Sequence, residues 1–215
     1  MNAIQKGYAQ WAAQYDSNVN PTRDLDASVT QRVLGQVPFN HVLELGCGTG
    51  KNTRWFCAHA ESVVGLDFSQ AMLALATERV SSDSFHPVLA DLNEVWPVDP
   101  ETADLVSANL VLEHLECLGH VFHQAHRALR PGGHLFVSEL HPDKQRAGSK
   151  PRFDTEQGTV VVPAYVHPEA EYREAALQAG FHVLNVQAWH DPEVQPDLES
   201  EAMPRLLTML FVKPM

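Results

Sequence analysis

Gly46, Gly48 and Gly50 alternate with other residues directly after an apolar run that begins at Val42 and carries Glu44. Glycine accepts positive φ, and with only hydrogen on Cα it lets a ligand lie against backbone N–H groups. Where such a turn joins a strand to a helix, those N–H groups form a binding edge. Two carboxylates hold comparable places further on. Asp67 closes the run Val63-Val64-Gly65-Leu66, 17 residues beyond Gly50, and Asp91 follows the run from Phe85 to Leu89. An acid at the end of the second strand can accept both hydroxyls of a ribose. His114 and His141 lie just past two later apolar runs; an imidazole there titrates near neutrality and can take a proton from a nucleophile. A glycine turn alone is equally a structural connection. Three strand ends in register, tipped with glycine or carboxylate, are a stronger signal for a nucleoside-like ligand.

Two neighbouring motifs are excluded. A phosphate-cradling loop needs glycine where the chain has Leu45, and Ser or Thr where it has Asn52; the dinucleotide fingerprint needs glycine at Lys51. The form Glu44-Leu45-Gly46-Cys47-Gly48-Thr49-Gly50 instead resembles motif I of class I S-adenosylmethionine (SAM) methyltransferases. Arg127-Ala128-Leu129-Arg130-Pro131-Gly132-Gly133 before a strand is similar to a pattern common in that family. Together these carry the resemblance over about residues 40–140. It implies SAM as cofactor, with the methionine portion against Gly46 and Gly48, Asp67 on the ribose diol and Phe68 against the adenine. Asp91 or the Leu92 amide would read the adenine edge, and the Asn109 carbonyl would hold the methionine amino group. Cofactor contacts extend by the same resemblance to Tyr15, Glu44, Cys47, Met72 and Leu110. Tyr15-Asp16 resembles an aromatic-plus-acid pair that closes over the cofactor. Tyr8, Trp11 and Tyr15 also share one helical face and read equally as an amphipathic helix packed on the sheet.

The elements that must position these residues follow from pattern. Asn20-Pro21-Thr22 opens a helix to about Gln36 with Thr22 as cap, Leu25, Val29 and Val33 forming its apolar face. A short helix from Lys51 to about His59 follows the glycine turn. Ser69 caps a helix from Gln70 to Val80, with Met72, Leu73, Ala76 and Val80 on one face. Strands are expected at Phe85–Leu89, Ala103–Ala108, His134–Leu140, Phe181–Trp189 and Leu206–Val212, and helices at Gly119–Leu129 and Glu169–Ala179, the last stopped by Gly180. Arg130-Pro131-Gly132-Gly133 reads as a tight turn. Alternating strands and helices make an α/β, Rossmann-like, doubly wound sheet. The resemblance adds seven strands in the order 3-2-1-4-5-7-6, with strand seven antiparallel. One methyltransferase domain over 1–215 is expected: a helical cap at 1–38, a SAM-binding core at 39–140, a substrate-side insertion at 141–165, and a C-terminal helix and hairpin at 166–215.

With 215 residues, 44% of them hydrophobic, the chain can bury one sizeable core. A formal charge of −12 without any Lys/Arg cluster argues against nucleic acid. So does Asn109-Leu110-Val111-Leu112, where enzymes that methylate base amines carry Asp/Asn-Pro-Pro-aromatic. No apolar run approaches the ~20 residues of a membrane span, and the first residues lack the apolar stretch of a signal peptide. Three cysteines without C-x-x-C give neither a disulfide framework nor a thiolate metal site, and the twelve histidines show no ligand spacing, so no metal is expected. A cytoplasmic monomer or homodimer is expected. Asn109-Leu110-Val111-Leu112-Glu113-His114 resembles small-molecule methyltransferases of the ubiquinone, biotin-precursor and natural-product types. The functional expectation is therefore methyl transfer from SAM to a small molecule, at oxygen, with His114 and His141 as candidate catalytic groups. The alternatives are a non-catalytic regulatory or partner module on the same fold, and a malonyl-carrier-protein carboxyl methyltransferase.

Overall fold

The computed structural model describes residue 4 and residues 20–155, 158–192 and 202–215; Tyr15 and the other N-terminal aromatics lie outside the described residues. In chain order, α1 (Pro21–Leu34) leads to β1 (His41–Leu45), α2 (Thr53–Cys57), β2 (Ser62–Asp67), α3 (Gln70–Val80) and β3 (Phe85–Leu89). Then come β4 (Ala103–Asn109), a 3-10 turn at Leu112–His114, α4 (Leu118–Ala128) and β5 (Leu129–Leu140). The remainder is α5 (Pro142–Arg146), β6 (Arg152–Thr155), β7 (Gly158–Val161), α6 (Glu169–Ala179), β8 (His182–Trp189) and β9 (Leu206–Val212).

Seven strands form one sheet in the order β3-β2-β1-β4-β5-β9-β8, and β6 and β7 pair as a separate hairpin. β3, β2, β1, β4 and β5 are mutually parallel; β9 runs antiparallel between β5 and β8. With the hairpin left out of the count, this is the expected 3-2-1-4-5-7-6 order. The direction of winding reverses between β1 and β4, and the crevice past their carboxyl ends is where such sheets take ligands.

Successive residues of a strand face opposite ways, which divides the core in two. Leu43, Leu45, Val106, Ala108 and Val137 meet Phe122 and Ala125 of α4 and Tyr172 and Ala176 of α6. Val42, Leu105 and Phe136 meet Phe56 of α2, Leu73 and Ala76 of α3, and Leu34 of α1. Each fully buried Leu or Phe contributes roughly 1.5–3 kcal/mol. The ends of β1, β2 and β4 are therefore clamped from both faces, and the residues just beyond them are held in fixed relation.

The structure departs from pattern in four places. The cap of α1 is Asn20, whose Oδ1 accepts from Arg23 N–H at 3.1 Å, because Pro21 takes the first helical position, where its missing N–H costs nothing. Thr22 Oγ1 instead accepts from Arg205. The helix after the glycine turn is shorter than expected, Thr53–Cys57. Arg130-Pro131-Gly132-Gly133 is a bulge inside a long strand rather than a turn before one: pairing passes from Ala103–Leu129 to Leu105–His134, and Gly132 N–H donates to Lys213 O. Finally, residues 141–164 fold into α5 and the β6–β7 hairpin. Among the described residues, no helix is long and apolar enough to cross a membrane.

Candidate functional site

The crevice is built from the turn after β1. Gly46 and Gly48 have φ of +64° and +53°, a region costly for residues with a Cβ. A methyl group on Gly46 would sit 2.4 Å from Val111 Cγ2, so this glycine lets the β1 turn pack on the segment after β4. Gly48 differs: a Cβ there would meet nothing nearer than the Gly46 carbonyl at 4.0 Å, so its Cα faces open space. Asp67, at the end of β2, reaches across. Its Oδ2 accepts from Gly48 N–H at 2.9 Å and its Oδ1 from Ser69 N–H at 2.8 Å. Ser69 in turn caps α3, as expected, accepting from Met72 N–H.

Two narrow clefts of about 60 Å³ each meet here, sharing Gly46, Gly48, Asn109 and Leu110 as walls. One is lined by Asp67, Phe68, Met72, Leu92 and His114. The other runs beneath the turn, past Glu44, Cys47 and Asn52 to Arg23 and Asp26 of α1. A third, of about 30 Å³, continues from Phe68 and Leu92 to Asp91. Asp91 Oδ1 accepts both the backbone and side-chain N–H of Asn93, at 3.0 and 2.8 Å. Every described residue among the sequence-derived cofactor contacts thus borders this group of clefts.

The two histidines part company. His114 is buried, its Nδ1 3.0 Å from Pro163 O. A carbonyl only accepts, so Nδ1 carries the proton and Nε2 is the basic nitrogen. Burial lowers its pKa, so the ring is neutral at pH 7. His141 caps α5, its Nδ1 accepting from Asp143 N–H at 3.3 Å, and it lines none of the three clefts.

Several groups in the site lacked a sequence signal strong enough to single them out. Asp26 and Thr30, one turn apart on α1, are buried and both bind the Asn109 amide, at 2.9 and 2.8 Å; Asp26 also accepts from Asn52 at 2.9 Å. Glu139 is buried inside β5, its Oε1 accepting Val111 and Leu112 N–H at 3.0 and 2.8 Å while Oε2 has no hydrogen-bond partner among the described residues. That pairing fixes the segment after β4, where Leu110 adopts φ +51°. Beside it, Glu113 accepts from the buried Gln145 amide at 2.7 Å. The signal for Glu139 is an acid within an apolar strand; for Asp26 and Thr30 it is polar i, i+4 spacing beside an apolar stripe.

Burial dominates the electrostatics. It pushes Glu44 up to about 8, against the hydrogen bond from Thr53 and aided by the charges of Asp26 and Asp67. It raises Asp67 to about 6 and Glu113 to about 7, and lifts Glu139 well above the carboxylate range, helped by Glu113. Such carboxyls hold protons in the native state that the unfolded chain has released, so their stabilisation is complete below the unfolded value and lost as pH climbs through the native one. Buried His114 and half-buried His126, His134 and His141 are shifted down from 6.5 and act at lower pH. Between about pH 7 and about pH 8 the raised carboxyls, Glu113, Glu44 and Glu139 among them, set the slope. The Tm of the ligand-free protein is expected to fall over that window, and Glu44→Gln to flatten the fall. Scanning calorimetry at both ends checks this; a wild-type Tm that holds level or rises contradicts it.

Known proteins resemble this chain in both sequence and fold. Residues 43–137 match the model of a family described as a methyltransferase domain. An uncharacterized methyltransferase of Emericella nidulans is 27% identical over 217 aligned positions, covering 83% of this chain and 76% of that one. The malonyl-[acyl-carrier protein] O-methyltransferase of Salmonella typhimurium is 32% identical over 139 positions, covering 64% of this chain and 53% of that one. The chain spans about half the length of the Salmonella and Yersinia pestis proteins of that description. The N-methyltransferase NodS of Bradyrhizobium japonicum, crystallised with S-adenosyl-L-homocysteine, superposes over the whole of both chains with a TM-score of 0.74 at 16% identity, a likeness of fold.

Proposed function

From a chain whose residues 43–137 are a methyltransferase domain on the class I fold, we infer that SAM is the methyl donor and that a small molecule, attacking through oxygen, is the acceptor. The observation that carries this is the 2.9 Å bond from Gly48 N–H to Asp67. It brings the open backbone edge and the strand-end carboxylate that a nucleoside requires into one crevice. The adenine would lie between Phe68 and Leu92 with Asp91 at its edge, and the ribose diol on Asp67. The methionine end would enter the cleft under the turn, its carboxylate toward Arg23 and its amino group toward Asp26 and the Asn109 carbonyl. None of these three clefts encloses so large a ligand by itself; it would span all three, with the side chains between them giving way.

Transfer is an in-line displacement at the methyl carbon. When bound, SAM would supply a methyl group on a sulfonium, which an oxygen nucleophile would take with release of the neutral thioether S-adenosyl-L-homocysteine. The sulfonium is already electrophilic, so alignment and water exclusion do most of the work, with effective molarities of about 10⁵ M or more available. A hydroxyl must also lose its proton, and His114 Nε2 is the receiving atom. Turnover of labelled SAM against a panel of hydroxyl acceptors tests the whole: methyl incorporation supports it, whereas S-adenosyl-L-homocysteine binding with no acceptor methylated means a non-catalytic module.

One observation favours a second reading. The 32% identity to the Salmonella malonyl-carrier-protein enzyme points to a carboxylate acceptor, which arrives without a proton to remove. The two separate on His114→Ala. For a hydroxyl acceptor its kcat should fall about 10²-fold, whereas a loss below about tenfold removes His114 as base and fits the carboxylate. His141→Ala is expected to keep most of kcat and to lower the Tm through the lost cap of α5.

A further inference from the structure

Beyond Leu110, away from the glycine turn, lies a cleft of about 500 Å³. Leu110 and Arg23 are walls of both this space and the cleft under the turn. A molecule in it would approach the donor from the side opposite α3. Its floor is the Glu113 and Leu140 region, and its outer wall is the stretch from Ala147 to Arg152 that joins α5 to the hairpin. The chain carries 27 acids against 15 Lys and Arg. Even so, among the described residues Arg23, Lys150, Arg152 and Arg205 all border this one space, against a single acid, Glu113. Arg205 is committed to Asp191 and Thr22. Lys150 and Arg152 lie on the outer wall, and among the described residues neither has an acidic partner. Glu113 cancels this charge only in part, because burial lifts it to about 7 beside a Glu139 that is raised as well.

Deepening the methyl-transfer reading above, on which this rests, we propose that the cleft beyond Leu110 is the acceptor site and selects molecules bearing a carboxylate or phosphate group, which Lys150 and Arg152 bind. Arginine and lysine close together on one wall of a cleft hold an anion by charge-assisted hydrogen bonds. The formal −12 of the chain as a whole opposes anions at long range, so their capture would depend on this local excess.

The test uses the full chain saturated with S-adenosyl-L-homocysteine, titrated by calorimetry with malonate and, separately, with inorganic phosphate. Saturable binding of one or both is expected, and which one binds decides between a carboxylate and a phosphate. Lys150→Gln combined with Arg152→Gln should weaken that binding about tenfold or more, and Lys150→Arg with Arg152→Lys should restore most of it. Labelled-methyl transfer then compares 4-hydroxybenzoate with 4-hydroxybenzamide and 4-hydroxyphenyl phosphate with 4-methoxyphenol. The anionic member of a pair should be favoured by wild type and not by the glutamine variant. No anion binding, equal binding by the glutamine variant, or equal transfer to acid and amide overturns the proposal. If S-adenosyl-L-homocysteine itself fails to bind wild type, the methyl-transfer reading has failed instead.

Discussion

Replacing Asp67 by alanine is expected to lower the affinity for S-adenosyl-L-homocysteine about 10²-fold or more. Hydrogen bonds to an ionised acceptor contribute roughly 1.5–3 kcal/mol each, and a ribose diol offers two. The variant also strands the N–H groups of Gly48 and Ser69, which Asp67 accepts at 2.9 and 2.8 Å, so the turn loosens together with the ligand contact. Asp67→Asn separates the two effects. Its carbonyl can still take the Ser69 N–H, while its NH₂ would face the Gly48 N–H donor to donor, so stability should survive better than affinity. pH provides an independent signature. Burial holds Asp67 at about 6 despite the two backbone bonds, and the diol needs the ionised form. Affinity should therefore be full above about pH 6 and decline as pH falls below it, a dependence that Asp67→Asn removes. Calorimetric titration of wild type and both variants across that range is the measurement. Wild-type affinity in Asp67→Ala would show that the β2 acid holds the turn and nothing else.

What the sequence makes legible here is local. β1, β2, β3 and β4 announce themselves as apolar runs ended by glycine, Asp67, Asp91 and Asn109, and Ser69 as a cap needs only the three residues after it. Asp67 is readable as a ligand group for the same reason: its place at a strand end is a property of neighbouring residues. Asp26 is not. Its burial depends on Asn52 and Asn109, 26 and 83 residues away, and Leu25, Val29 and Val33 already account for the helix. Glu139 is tolerable in β5 only because the segment after β4 presents two N–H groups to it. The β6–β7 hairpin escaped notice for another reason: it pairs outside the main sheet, and a strand as exposed as β7 needs no apolar alternation to betray it. The acceptor-side cleft shares that origin, since its cations come from α1, from the approach to the hairpin and from the start of β9, and become neighbours only on folding.

Gly46→Ala should be strongly destabilising, and comparison with Gly48→Ala tells why each glycine is present. An alanine Cβ at Gly46 would stand 2.4 Å from Val111 Cγ2 and 2.9 Å from Val111 Cβ. Valine is short and branched, so the overlap has no flexible tail to absorb it, and Val111 N–H is fixed by Glu139. Overpacking of this kind costs about 1–3 kcal/mol, and φ +64° adds about 1–2 kcal/mol for a residue with a Cβ. A Tm fall of about 5–15 °C follows. Any relief must come from moving the 110–114 segment, which carries Leu110 and His114, so ligand affinity should fall with it. Removing the methyls of Val111 as well, in Gly46→Ala/Val111→Ala, should recover the part due to the clash and leave the part due to φ. Gly48→Ala meets open space, with only the Gly46 carbonyl at 4.0 Å, and should lose about 1–2 kcal/mol from its φ alone. Its penalty should appear instead in S-adenosyl-L-homocysteine affinity, because the added methyl occupies the edge where the ligand must lie. If Gly46→Ala melts like wild type, the turn does not need its close approach to Val111. If Gly48→Ala binds like wild type, the open face of that turn is not where the nucleoside sits.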